Sequence, residues 1–159
     1  SLGDAAHLKK ALGHYEQYLA LSERAEDVEA QGAACYALAQ VYQRMQDGEQ
    51  SLTHLQRFLQ LAQTSGKLTA QAEACCSLGV LYNQQSDYAS AVQYLERYFE
   101  LARQIGDRQI IDKARTYLGI ARGNSVLPSF MNVVTTDLDA LLRWKNRRTP
   151  FTDMAMVSH

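Results

Sequence analysis

Large apolar residues recur along this chain at helical spacing, and the whole pattern then repeats. Between Cys75 and Ala102, Leu78, Gly79 and Tyr82 fall on one helical face, Ser86-Asp87 breaks the periodicity, and Ala91, Leu95 and Tyr98 fall on a second face. Gly79 and Ala91 are small enough to let the two helices approach closely, while Leu78, Tyr82, Leu95 and Tyr98 fill the space around that contact. Residues 11–50, 51–90 and 91–123 align without a gap, so the period is 40. Leu12, Leu52 and Val92 coincide, as do Tyr18, Phe58 and Tyr98, then Ala34, Ala74 and Ala114, then Leu38, Leu78 and Leu118.

The pattern predicts helices at about Ala5–Arg24, Val28–Met45, Glu49–Thr64, Leu68–Gln84, Tyr88–Gln104 and Arg108–Arg122. Asp47-Gly48 and Ser86-Asp87 offer turn residues, and Gly66 and Gly106 can take the left-handed conformation that ends a helix. Links this short force antiparallel neighbours. No pair buries its apolar face alone, so pairs stack into one continuous core. After Arg122 the register fails. Residues 123–128 read as a loop, and the apolar series that follows, from Phe130 to Trp144, is expected to form a closing element across the last repeat.

The expected organisation is therefore a repeat array over 1–123, a capping segment over 124–148 and a flexible tail over 149–159. The array comprises the second helix of a truncated repeat, two full repeats and the first helix of a further one. The fold class is all-α, and only Pro128 and Pro150 interrupt helix formation.

Composition narrows the function. A formal net charge of −1 gives no default preference for nucleic acid or an anionic membrane, and no apolar run approaches a membrane span. The three cysteines have no metal-ligand spacing, and Cys35 and Cys75 hold the same repeat position, where small apolar residues are wanted. They read as reduced packing residues of a cytoplasmic protein. His14 and His54 are also repeat-equivalent, which places them on successive layers and out of reach of one another as an acid–base pair. With no HExxH, phosphate-binding loop or serine elbow, no enzyme activity, catalytic residue, metal or cofactor is expected.

The large-and-small pattern from Leu78 to Tyr98 resembles the tetratricopeptide repeat, whose usual unit is about 34 residues. The extra length is expected in longer helices, the second of each pair running on through Glu100–Gly106. The resemblance implies a right-handed superhelix of antiparallel helix pairs with a C-terminal closing helix, and a groove lined by the first helix of each pair. Repeat equivalence places Tyr36, Gln40 and Gln43 in that groove, then Glu73, Cys76, Val80 and Asn83, then Lys113, Thr116 and Ile120, with Ala33 at the near end. Repeats that clamp the acidic end of chaperones carry lysine where Tyr36, Cys76 and Thr116 stand, and asparagine where Gln40, Val80 and Ile120 stand; none of the six matches. The asparagine ladder of adaptors for spindle-orientation proteins is missing at the same positions. A neutral groove of this kind suits a protein segment with few acidic anchors, bound with weak salt dependence.

At the C-terminal end, Gly119–Arg122 and the Leu-Leu-x-Trp-Lys-x-x-Arg run of Leu141–Arg148 resemble the tetratricopeptide repeat protein 29 family of axonemal proteins. That resemblance implies a noncatalytic component of the cilium or flagellum axoneme, associated with inner-arm dynein and needed for motility. Trp144, Lys145, Arg147 and Arg148 are candidate C-terminal contacts, although cations also favour a helix C-terminus by complementing its dipole. The partners implied are other proteins, axonemal dynein or its associated subunits among them, with no nucleic acid and no membrane.

Overall fold

The computed structural model describes residues 2–127, and these are all helical apart from short turns. The helices are α1 (Leu2–Arg24), α2 (Val28–Arg44), α3 (Gly48–Thr64), α4 (Leu68–Gln84) and α5 (Tyr88–Ile105), followed by α6 over 108–127. The chain divides into two compact units, Ser1–Arg122 and Gly123–His159, and the site described below lies in the first. The expected closing element from 128 onward, with Trp144, Lys145, Arg147, Arg148 and the tail, lies outside the described residues.

A 20-residue device sets the turns. The second residue of each is left-handed: Glu26, Gln46, Gly66, Ser86 and Gly106 have φ of 55°, 61°, 69°, 63° and 78°. The residue after it stands at the N-cap of the next helix. Asp27, Asp47, Asp87 and Asp107 accept backbone N–H bonds at their side-chain oxygens from residues two or three further on, which satisfies donors left over by the first helical turn. Lys67 occupies the same place without a side-chain cap, and its ammonium pairs instead with Glu29 at 2.7 Å. Two of the expectations need correction here. Gly48, expected in the turn, is the first residue of α3, and the left-handed residue of that turn is Gln46.

The other correction concerns helix ends. The extra repeat length is shared equally, since α2, α3 and α4 each have 17 residues and α5 has 18. Residues 123–127, expected as loop, continue α6. Glycine, asparagine and serine each disfavour a helix by at most about 1 kcal/mol, too little to stop one that the preceding turns already hold.

The core follows the 40-residue register. Leu38, Leu78 and Leu118 are buried in successive layers, and Leu55 and Leu95 are buried opposite the first two. The most extensive packing is within pairs, α2 on α3 and α4 on α5. Successive pairs are joined by a repeated side-chain bond: Gln31 donates to the Ser22 carbonyl at 3.4 Å, and Gln71 donates to the Ala62 carbonyl at 3.3 Å. The first helix is covered less. Tyr18 is 45% exposed, whereas Phe58 and Tyr98 at the equivalent positions are 6% and 4% exposed.

Candidate functional site

The first helix of each pair carries two stripes. One, running through Ala34, Leu38 and Val41 in α2 and through Ala74, Leu78 and Leu81 in α4, is buried against the second helix. The other, two positions further round, is only partly covered, because a neighbouring first helix flanks it without closing over it. Along this second stripe lie three adjoining concavities.

The first, of about 300 Å³, lies between α2, the end of α3 and the start of α4. Its floor is Gly32, Phe58, Leu61, Ala62 and Ala70, and the Glu29–Lys67 ion pair stands at its edge. Tyr36 leans on Phe58 with ring centroids 5.3 Å apart. The second, of about 320 Å³, is bounded by Tyr36, Glu73, Cys76, Tyr98, Ile110 and Lys113. The third, of about 190 Å³, lies further along the same helices and takes in Gln40, Gln43, Ser77, Val80 and Tyr117, with Tyr36, Cys76 and Lys113 shared.

The structure thus brings together seven of the residues expected in the groove: Tyr36, Gln40, Gln43, Glu73, Cys76, Val80 and Lys113. Ala33 lines the first concavity. Asn83, Thr116 and Ile120 line none of the three. For Thr116 and Ile120 the reason is geometric. A concavity needs a helix on each side, and among the described residues no first helix stands beyond α6. Thr116 turns its hydroxyl back to the Asp112 carbonyl at 2.9 Å. Ser77, Tyr117 and Phe58 were not anticipated from the sequence, although Ser77 and Tyr117 are themselves 40 residues apart and each follows a position that was.

The groove's electrostatics are those of a partly dry polar surface. Burial, then the Glu73 carboxylate, pushes the Tyr36 phenol up. Burial raises the Cys76 thiol, with Lys113 and a hydrogen bond from Tyr98 pulling the other way. Burial likewise raises Cys35, and lifts Cys75 to about 11. All three are free cysteines held as neutral thiols, the state that packs and does not attack. Lys113 places its ammonium 5.7 Å from the centroid of the Tyr117 ring. His54 points elsewhere, stacked on Tyr42 at 5.4 Å. Among the described residues no three of His, Cys, Asp and Glu are grouped to hold a metal, and no helix is long and apolar enough to cross a membrane.

Residues 31–104, which span α2 to α5, match the family described as Tetratricopeptide repeat. The fold over this stretch is the tetratricopeptide type of helical repeat. Such repeats are protein–protein interaction scaffolds, and the concavities lie on the face formed by their first helices. No curated protein matches the chain.

Proposed function

We propose that the chain is a noncatalytic scaffold that receives a segment of another protein in the groove across α2, α4 and α6, and that it does so on the axoneme, in association with inner-arm dynein. The observation that carries the groove reading is that α2, α4 and α6 contribute side chains to adjoining concavities on one surface. Function has to be argued from such a site, because the repeat itself is common to many unrelated scaffolds. The groove's mixture of one ammonium, amides, hydroxyls and apolar side chains fits a polypeptide with main-chain groups to satisfy. Support for the axonemal part comes from the resemblance of Gly119–Arg122 and Leu141–Arg148 to a family of axonemal proteins of motile cilia and flagella.

A pull-down from detergent-extracted axonemes tests both parts. The protein is expected to recover dynein subunits, and a Tyr36→Glu, Val80→Glu variant of unchanged helicity is expected to lose them. Recovery of cytosolic cargo or chaperones alone would replace the axonemal reading with that of a general cytosolic adaptor. Undiminished recovery by the variant would remove the groove from the account.

A further inference from the structure

The first two concavities are the same pocket seen twice. Gly32, Phe58 and Glu73 of the first correspond, 40 residues on, to Ala72, Tyr98 and Lys113 of the second. Their shapes therefore repeat while their chemistry changes, and the change has a direction. In the first pocket Glu29 and Lys67 are paired at 2.7 Å, and the remaining carboxylate, Glu73, lies on the boundary with the second pocket near the Tyr36 phenol. The floor is apolar, and Gly32 keeps it open, since a Cβ there would come within 3.3 Å of Phe58 Cδ2. In the second pocket Lys113 forms no ion pair among the described residues: Glu73 on the neighbouring helix lines the same pocket without pairing with it, and the Lys113 ammonium lies over the Tyr117 ring. Its charge faces both this pocket and the third one, beside the hydroxyls of Ser77, Tyr98 and Tyr117.

From these differences we infer that the groove reads one segment of its partner at two points, taking an apolar side chain between Gly32 and Phe58 and an aspartate or glutamate side chain at Lys113. The inference rests on the groove being the binding face. A lone ammonium flanked by hydroxyls can hold one carboxylate, with the hydroxyls donating to its second oxygen. It does not provide the several cations needed for a chain end that presents two carboxylates together. The pockets belong to successive first helices. Packed helices lie about 8–10 Å apart, which is bridged by roughly three residues of an extended segment. The partner's apolar and acidic anchors are therefore about three positions apart.

The test is selection of random linear peptides on the intact chain, followed by titration of the enriched peptides. Enriched sequences are expected to pair an apolar residue with an acidic one at that spacing. Lys113→Glu, a change at an exposed position outside the core, is expected to weaken them about tenfold, and changing the peptide's acid to lysine is expected to restore binding to that variant. Gly32→Ala is expected to weaken preference at the apolar anchor alone. Peptides that lack an acid, or that bind Lys113→Glu unchanged yet are lost in the Tyr36→Glu, Val80→Glu variant, would overturn the inference and leave the groove reading standing. Binding untouched by every groove variant, or no enrichment at all, would overturn both.

Discussion

The pairs α2–α3 and α4–α5 share one register but bring their helices together differently. In α4–α5 the contact is bare backbone. A Cβ on Gly79 would lie 2.5 Å from Leu95 Cγ, and Leu95 is buried with no room to withdraw. In α2–α3 the equivalent of Gly79 is Ala39, opposite Leu55, and the equivalent of Ala91 is Ser51, whose hydroxyl donates to the Ala39 carbonyl at 3.0 Å in a fully buried site. One pair is closed by a missing methyl and the other by a hydrogen bond. At both positions the α2–α3 pair carries one more heavy atom, so one register accommodates two different fillings of the crossing.

The largest effect expected from this contrast is at the glycine. Gly79→Ala should destabilise the protein by about 1–3 kcal/mol, because the new methyl must displace Leu95 in a filled core. The mirror change, Ala39→Gly, should cost only about 0.5–1 kcal/mol, the ordinary penalty for glycine inside a helix. Urea unfolding of the two variants measures both; equal losses would mean that the pairs cross alike. Ser51→Ala comes next, with an expected loss of about 0.5–1.5 kcal/mol for one buried hydrogen bond.

Smaller gains are expected at the turns. Gln46→Gly and Ser86→Gly should each stabilise by up to about 1 kcal/mol, since both residues hold a left-handed backbone that glycine adopts without strain. The same change at Gly66 or Gly106 is unavailable because the glycine is already there, which is why the turns of this chain differ in residue but not in shape. A rise in melting temperature checks it.

A second equivalence separates the pairs by pH. Tyr42 stacks on His54 at 5.4 Å and Tyr82 stacks on Tyr94 at 5.5 Å, each with rings 9° from parallel. The histidine Nδ1 is buried with no hydrogen-bond partner among the described residues, and burial, aided by Arg57 and opposed by Glu16, holds its pKa below 6.5. The folded state thus favours the neutral ring. That contribution is intact above pH 6.5 and is lost as pH falls toward the lowered value. Stability should drop between pH 7 and pH 5, and His54→Tyr, which copies the other pair, should remove that component of the drop.

The sequence made the helices and the buried leucines legible because a 40-residue period samples each position three times, so Leu38, Leu78 and Leu118 identify one another. It made the turns only half legible. Gly66 and Gly106 announce a left-handed residue, whereas Glu26, Gln46 and Ser86 carry the same backbone with no compositional sign, and Asp47-Gly48 points one residue too far along. The regular aspartates at 27, 47, 87 and 107 were the better marker. Groove residues followed from equivalence where two first helices flank them, as for Tyr36 and Cys76. For Thr116 and Ile120 equivalence assigns a position on α6 but does not supply the neighbouring helix that makes a wall.

Excising residues 48–87 tests the central claim, that α2–α3 and α4–α5 are two copies of one unit. The excision joins Asp47 to Tyr88, so that α5 takes the place of α3 on α2 with its cap, register and turn preserved. The account predicts a helical protein with cooperative unfolding in which Ala39 now meets Leu95, so that Ala39→Gly stabilises the shortened chain although it destabilises the parent. A shortened chain that is unfolded, or in which Ala39→Gly is destabilising as before, would contradict it.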